Sequence, residues 1–451
     1  MTLSPSDGSG PGHPAAHAEN RLRLLPSGPD LIHDPTLRGT RAIDTAFGAL
    51  TPRQDPSTGD SASLERNCER QGAATSPPST IRHRGYRFRQ TAGMKDLTTI
   101  DLQRGGNEAS DLLPVGNDAL LAAHAWDRGF WTVLDEGHVE DSVAVLGHRA
   151  DAGSDAGWEI HALTCLAGKQ TGRTTDAEAC ARRDGWIYVV GSQYGSKGGP
   201  LQAKRAWVAR FREETIDREV PETEVALDVQ RNQFRLHRVV NDAIDEADVV
   251  PIVPGDTVRD RFIAQTLENG RVKEKSWAHR LRERDVPINV EGAAFRPSGT
   301  LLLALRFPTS AEGEPLLVEL SGVPEMFDDP DAWPRAERVW VLEGATPPGA
   351  LTGFRALSHA GEDTFDAIIG SIDATGKGSV LLEDHPAGAE VECAHWRFTL
   401  PKNRTIEEAV RVPGELVRAL HGLRNVEGLS VDGDRAFYVT DEDERIQLRF
   451  D

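Results

Sequence analysis

Three stretches of this chain repeat one pattern, and that repetition constrains the fold more than any other feature. Residues 176–192, 289–306 and 425–441 each open on a polar residue, reach a glutamate two positions later and follow it with Ala or Gly. A short apolar strand comes next, then a turn of Asp-Gly or Ser-Gly type, then a second apolar strand. The turn residues supply the backbone freedom that a tight hairpin needs. Two weaker copies, 110–124 and 351–370, lack the glutamate. A third strand is expected after most copies, at 129–134, 205–211, 316–320 and 378–382.

A unit of three or four antiparallel strands repeated around an axis is a propeller blade. The spacing therefore predicts an all-β fold, a β-propeller of about six blades (five to seven), at roughly 40–50 residues per blade. A β-sandwich also has short strands at regular intervals, but it does not predict a repeated hairpin with the same leading glutamate. Two insertions interrupt the pattern. Residues 228–248 place Phe234, Val239, Val240, Ala243, Ile244 and Ala247 on one helical face, and 269–284 is a charged stretch of helix or loop.

The chain divides near Gly93. The first 93 residues contain 11 Arg, no Lys and 9 acidic residues, with ten of the 27 prolines and ten of the 43 glycines. Such a composition does not offset the entropy of ordering. Residues 1–93 are therefore expected to be a disordered N-terminal tail or the product of a misassigned start, since Met94 opens the compact part; residues 94–451 are expected to form the propeller domain. Residues 1–17 carry neither the basic start nor the apolar stretch of a secretory signal.

Charge and cysteine usage narrow the function. A net charge of −20 argues against nucleic acid as a partner, because phosphate backbones are met by basic stripes. No run of about 18 apolar residues is present to span a membrane. Cys68, Cys165, Cys180 and Cys393 are far apart, which suits a reducing compartment and a cytoplasmic location and excludes a zinc ribbon.

The repeat also points to a site. Glu178, Glu291 and Glu427 occupy one position in three blades, so they are expected to converge on the channel although 113 and 136 residues separate them. Three carboxylates at one level repel unless protons or a cation neutralise them. Calcium or another divalent cation takes 6–8 hard oxygens, and Asn289 and Asn425 stand beside two of the glutamates as further donors. Two other roles are open: each Glu caps backbone N–H groups at the start of its blade, or the cluster is a metal-free substrate site. Arg306 and Arg355 flank inner strands, where an arginine fork pairs with carboxylates or holds an anionic ligand group. Ser192 lies in the Gly-rich loop 191–199, which lacks a phosphate-loop ending and a nucleophile elbow; as a rim loop it places Ser192 at the ligand. Asp135-Glu136 and 441–444 read as solvated turns or blade ends, with an acidic cation site at Asp441 as a second reading.

The phrases Asp176-Ala-Glu-Ala, Tyr188-Val-Val-Gly-Ser192, Asn289-Val-Glu-Gly, Leu303-Ala-Leu-Arg-Phe-Pro308, Gly353-Phe-Arg355 and Asn425-Val-Glu-Gly, in that order, resemble a bacterial propeller family known as domain of unknown function 3616. The resemblance runs from about residue 107 to the C-terminus and departs at Asp111-Leu112 and Ala179. It implies a propeller and no particular activity. Distant likeness to calcium-binding lactonase and phytase-like propellers is analogy of fold. The expectation is a propeller that binds a small molecule or divalent cation at its channel, with a small molecule or protein at its rim. The alternative is a metal-dependent hydrolase (esterase, lactonase or phosphoesterase) using the channel glutamates.

Overall fold

In the computed structural model the described residues are 97–451, except 103–107, 217–219, 221–223, 248, 376–377, 403–408 and 442–444. The expected tail, 1–93, and Met94 lie outside them. Five sheets of four or five strands follow one another along the chain. Blade 1 comprises Ala109–Pro114, Trp126–Leu134, Val143–Arg149 and Trp158–Ala162; blade 2 comprises Ala177–Arg183, Trp186–Gly191, Val208–Arg212 and Asp228–Gln230. Blade 3 is Asn289–Phe295, Leu301–Thr309, Pro315–Ser321 and Arg335–Glu343, with Val410–Pro413 added parallel at its outer edge. Blade 4 is Thr352–Gly361, Thr364–Ser371, Ala394–Thr399 and Glu415–Ala419.

Blade 5 closes the ring. Its strands Val426–Asp432, Arg435–Asp441 and Ile446–Phe450 are completed by Thr98–Asp101, paired antiparallel with Thr98 opposite Phe450. The C-terminal strand thus lies between two others, with its backbone paired on both sides. The inner strands pack side by side in the order of blades 1, 2, 3, 4 and 5 and back to blade 1. The described residues form five such blades, one fewer than the favoured six. The difference lies in the long excursion between blades 2 and 3 and in strands that run to nine or ten residues in blades 3 and 4.

That excursion carries the expected helix. Arg235–Glu246 buries Leu236, Val240, Ala243 and Ile244 against Tyr188 and Val208 of blade 2 and Val339 and Val341 of blade 3, filling the wedge between two diverging sheets. Further helix follows over Asp256–Val258 and Gln265–Val272. Two local expectations fail. Residues 120–123 are not a strand: Asn117 Oδ1 accepts from Ala119 N at 3.0 Å and Leu120 N at 3.3 Å and starts a helical turn, so the second strand of blade 1 begins at Trp126. Likewise Ser379 Oγ accepts from Leu382 N at 3.2 Å and turns 380–384 into a helix. In both places a side-chain cap satisfies helical N–H groups before a ladder forms.

Buried polar networks join neighbouring blades. Arg296 in blade 3 donates to Glu319 of its own blade and to Asp363 of blade 4, at 2.7 and 2.8 Å. Trp131 of blade 1 donates at 2.7 Å to Glu213, which directly follows the third strand of blade 2. Inner strands also meet the neighbouring blade backbone to backbone, Gly353 of blade 4 against the second strand of blade 3 and Gly428 of blade 5 against the inner strand of blade 1. A Cβ on Gly353 would stand 2.1 Å from Arg306 O, and one on Gly428 2.8 Å from the Asp111 carbonyl carbon. Only glycine permits this approach. Gly353→Ala is expected to lower the unfolding free energy by about 1–3 kcal/mol. Gly198→Ala, with open space around it, should stay within about 0.5 kcal/mol of the parent in urea denaturation.

Candidate functional site

The inner strand of every blade is interrupted by a register shift, and the shifts decide which side chains reach the axis. In blade 2 the pairing jumps from Ala177 to Ala179, in blade 3 from Val290 to Gly292, and in blade 5 from Val426 to Gly428. The residue passed over is Glu178, Glu291 or Glu427. In blade 4 the jump is from Phe354 to Ala356, so Arg355 holds the glutamate's position. In blade 1 it spans Asp111 and Leu112. A bulge bends its strand and re-aims one side chain. Here the bulged side chains of four blades line one cavity of about 650 Å³.

The cavity wall carries nine carboxylates and five cations. The acids are Glu108, Asp135, Asp176, Glu178, Glu291, Asp373, Glu390, Glu427 and Asp441; the cations are Lys197, Arg205, Arg306, Arg355 and Arg424. Glu178, Glu291, Glu427, Asn289, Asn425, Arg306 and Arg355 therefore share one pocket. Ser192 does not line it: the side chain is buried, its hydroxyl donates to Asp176 and accepts from Tyr194 N at 3.2 Å. The expected rim serine is a positioning group for Asp176.

Pairing divides the wall into two halves. Arg355 donates to Glu427, and Arg306 Nη1 donates to Glu291 Oε1 at 2.9 Å, where Asn289 Nδ2 also donates at 2.9 Å. Arg306 Nε reaches the Ser371 carbonyl of blade 4 at 3.3 Å. Burial opposes the Arg306 charge, yet Glu291, Asp373 and Glu427 hold its pKa above the usual value. Glu427 is pushed up by burial and pulled back by Arg355. These partners are spent on each other.

The other half, built by blades 1 and 2, is acidic. Asp176 is paired with Arg205 at 2.7 Å, and its pKa is nevertheless raised by burial. Glu178 accepts one long bond, from Ser110 Oγ at 3.5 Å, and among the described residues it has no cationic partner. Burial raises its pKa well above the usual carboxylate range, and Glu291, Asp176, Asp135 and Glu427 add to the rise. Asp135 Oδ1 is sealed from solvent without a partner, and burial followed by Glu427, Glu108, Asp176 and Asp441 lifts its pKa to about 8. Tyr194, which also lines the cavity, is 7% exposed and stacked on Phe262 at 4.6 Å, and its buried hydroxyl has no partner among the described residues.

Asp135 and Asp441 stand at blade ends, as one reading had them, and line the cavity, which corrects the reading of them as solvated turns; 442–444 lie outside the described residues. Their equivalence was visible only in backbone bonding: Asp135 N to Glu108 O, Ser192 N to Asp176 O and Asp441 N to Asn425 O recur just after the second strand of three blades. Asp176, Asn289 and Asn425 form a second ring, two residues before the bulge. That spacing stands in the sequence.

A cation site on the full set Glu178, Glu291, Glu427, Asn289 and Asn425 does not fit this pairing, because two of the three glutamates hold arginines. Among the described residues, the compact group of three side chains with metal-ligating atoms lies elsewhere. His124, at the end of the helical turn Asp118–Ala123, and Glu159 and His161, on the outer strand of blade 1, have ligand atoms within 4.8 Å of one another. There His124 Nε2 accepts from Val220 N at 2.9 Å and Glu159 accepts from Trp126 at 2.6 Å, so two of its three members are already engaged.

No family model matches the sequence, and no curated protein matches it. Solved structures do align. A glucose dehydrogenase is 14% identical over 78% of this chain and 98% of its own, with a TM-score of 0.31. Levansucrase from Bacillus subtilis is 9% identical over 77% of this chain and 84% of its own, at 0.32. A hypothetical protein from Leishmania major is 9% identical over 79% and 89%, at 0.31. The propeller rests on the five sheets themselves, and no helix among the described residues is long and apolar enough to cross a membrane.

The sign of the pH dependence follows from Asp135. A carboxyl whose pKa rises from 3.8 unfolded to about 8 folded binds more protons in the native state between those values. Its contribution to stability is complete below about pH 4 and is lost as pH rises through 8. The upward shift of Glu178 acts in the same direction. Melting temperature in chelator should therefore fall between about pH 5 and pH 8, and Asp135→Asn should flatten the fall. A parent profile flat across that window would contradict the assignment.

Proposed function

We propose that the protein is a ligand-binding propeller whose central cavity takes a small polar molecule bearing positive charge. One observation carries this reading: Glu178 and Asp135 face the cavity with no cationic partner among the described residues, while every neighbouring acid raises their pKa. An ammonium group placed between them supplies the missing charge, and a hydroxyl on the same molecule meets the unpaired Tyr194 Oη. The arginine half of the wall, held by Glu291 and Glu427, orients the molecule's polar end.

A divalent cation such as calcium is the second occupant, resting on Glu178 and Asp135 with oxygens of Asn289 or Asn425 rather than on all three glutamates. Calcium would then supply charge and coordinate oxygens of the bound molecule. Hydrolysis is the alternative function. It is favoured by one feature: a carboxyl that holds its proton near neutral pH beside ionised acids is a ready proton donor. The resemblance to the domain of unknown function 3616 is compatible with each reading.

Thermal unfolding separates the occupants. A ligand that binds only the native state raises the melting temperature by mass action. Putrescine, as the probe for an organic cation, should raise it, and Glu178→Gln should abolish the rise while leaving the unliganded protein as stable or more so. A rise with calcium alone selects the metal reading. No response to either probe overturns both.

A further inference from the structure

A second cavity, of about 400 Å³, lies where the helical excursion meets blade 2, and its charge is opposite to that of the protein. Arg231, Lys273 and Lys275 line it together with Pro200, Leu201 and Trp277, and no carboxylate does so among the described residues. The chain as a whole carries a net charge of −20. Arg231 follows directly on the outer strand of blade 2 and is partly buried. Its Nε is sealed from solvent without an acceptor, and it forms no hydrogen bond or ion pair with a described residue.

The contrast with other enclosed arginines is sharp. Arg238 holds Asp285 at 2.7 Å, Arg296 holds Glu319 at 2.7 Å and Arg306 holds Glu291 at 2.9 Å. The charged group that acts on Arg231 is Arg173, and burial and this like charge both push its pKa down. The C-terminal end of helix Gln265–Val272 accounts for a cation at Lys273. It does not account for Arg231. A partly desolvated guanidinium beside positive charge is unfavourable unless an anion completes it.

We infer that this cavity binds a phosphorylated small molecule, its phosphate on the Arg231 guanidinium between Lys273 and Lys275 and its organic part against Pro200, Leu201 and Trp277. The planar fork of arginine matches two phosphate oxygens. Three cations lining one cavity suit a doubly charged oxyanion better than a single carboxylate, and the half-buried Trp277 offers a ring to the organic part. This site is independent of the central cavity.

Calorimetric titration with phenyl phosphate, inorganic phosphate and benzoate tests it. Phenyl phosphate should bind more tightly than inorganic phosphate, and benzoate more weakly than either. Arg231→Gln should weaken phenyl phosphate by about tenfold or more, equivalent to the loss of one charge-assisted contact. Its melting temperature without ligand should be unchanged or higher, because an uncompensated charge has been removed. The double variant Lys273→Gln/Lys275→Gln, at two exposed positions, should weaken binding as well. Absence of phenyl phosphate binding, equal binding of benzoate, or an unchanged affinity in Arg231→Gln would overturn the assignment.

Discussion

One bulge in each inner strand sets the character of the molecule's centre. Without the extra residue, a strand running along the channel would alternate its side chains between neighbouring blades. With it, Glu178, Glu291, Arg355 and Glu427 leave the ladder and turn toward the axis. The bulged charges and the acids around them obey one rule: charges taken out of water must be neutralised by protons, by one another or by a ligand. The ring uses the second solution at blades 3, 4 and 5, where Arg306 and Arg355 hold Glu291 and Glu427. Blades 1 and 2 are left with carboxyls that burial and neighbouring acids push above the usual carboxylate range, Asp135 to about 8.

The same positions explain the glycines. Gly292 and Gly428 follow the bulged glutamates, and each lies against the backbone of the next inner strand, at Leu357 N and at Asp111. In a ring of five blades the inner strands come this close. The repeated Glu-Gly is therefore one device: the glutamate faces the channel and the glycine lets the adjoining blade approach. Blade 2 carries Ala179 instead, buried in the core shared with Val290 of blade 3. Closure depends on the pairing of Thr98–Asp101 with Ile446–Phe450, which completes blade 5.

Much of this was legible in the residues. The repeated hairpin announced a propeller, and alignment of the copies placed the three glutamates at one repeat position. The helix at Arg235–Glu246 was written in its apolar face. What the pattern hid has physical reasons. Arg355 looked like a residue flanking its strand because charge reversal at an equivalent position erases the motif, while the bulge that defines it is a backbone feature. Asp135 resembled a surface turn, since an acid after a strand is ordinary until the closed ring puts it beside four other acids. Asn117 and Ser379 converted expected strands into helical turns through single capping bonds. Five blades lie within the expected five to seven; the favoured six had already set two insertions aside, but the whole of 231–288, with the longer strands of blades 3 and 4, takes up the length of one further blade.

A double-mutant cycle on Arg355 and Glu427 tests the central claim, that the bulged side chains form one compensated charge system. Arg355→Met alone leaves Glu427 in the acidic cavity without its cation and should cost about 3–5 kcal/mol. Glu427→Gln alone should cost less, because the surrounding acids still balance Arg355. The double variant should recover a large part of the Arg355→Met loss, giving a coupling energy of about 1–3 kcal/mol in urea denaturation at neutral pH. Strictly additive single effects, or an Arg355→Met variant as stable as the parent, would contradict the account.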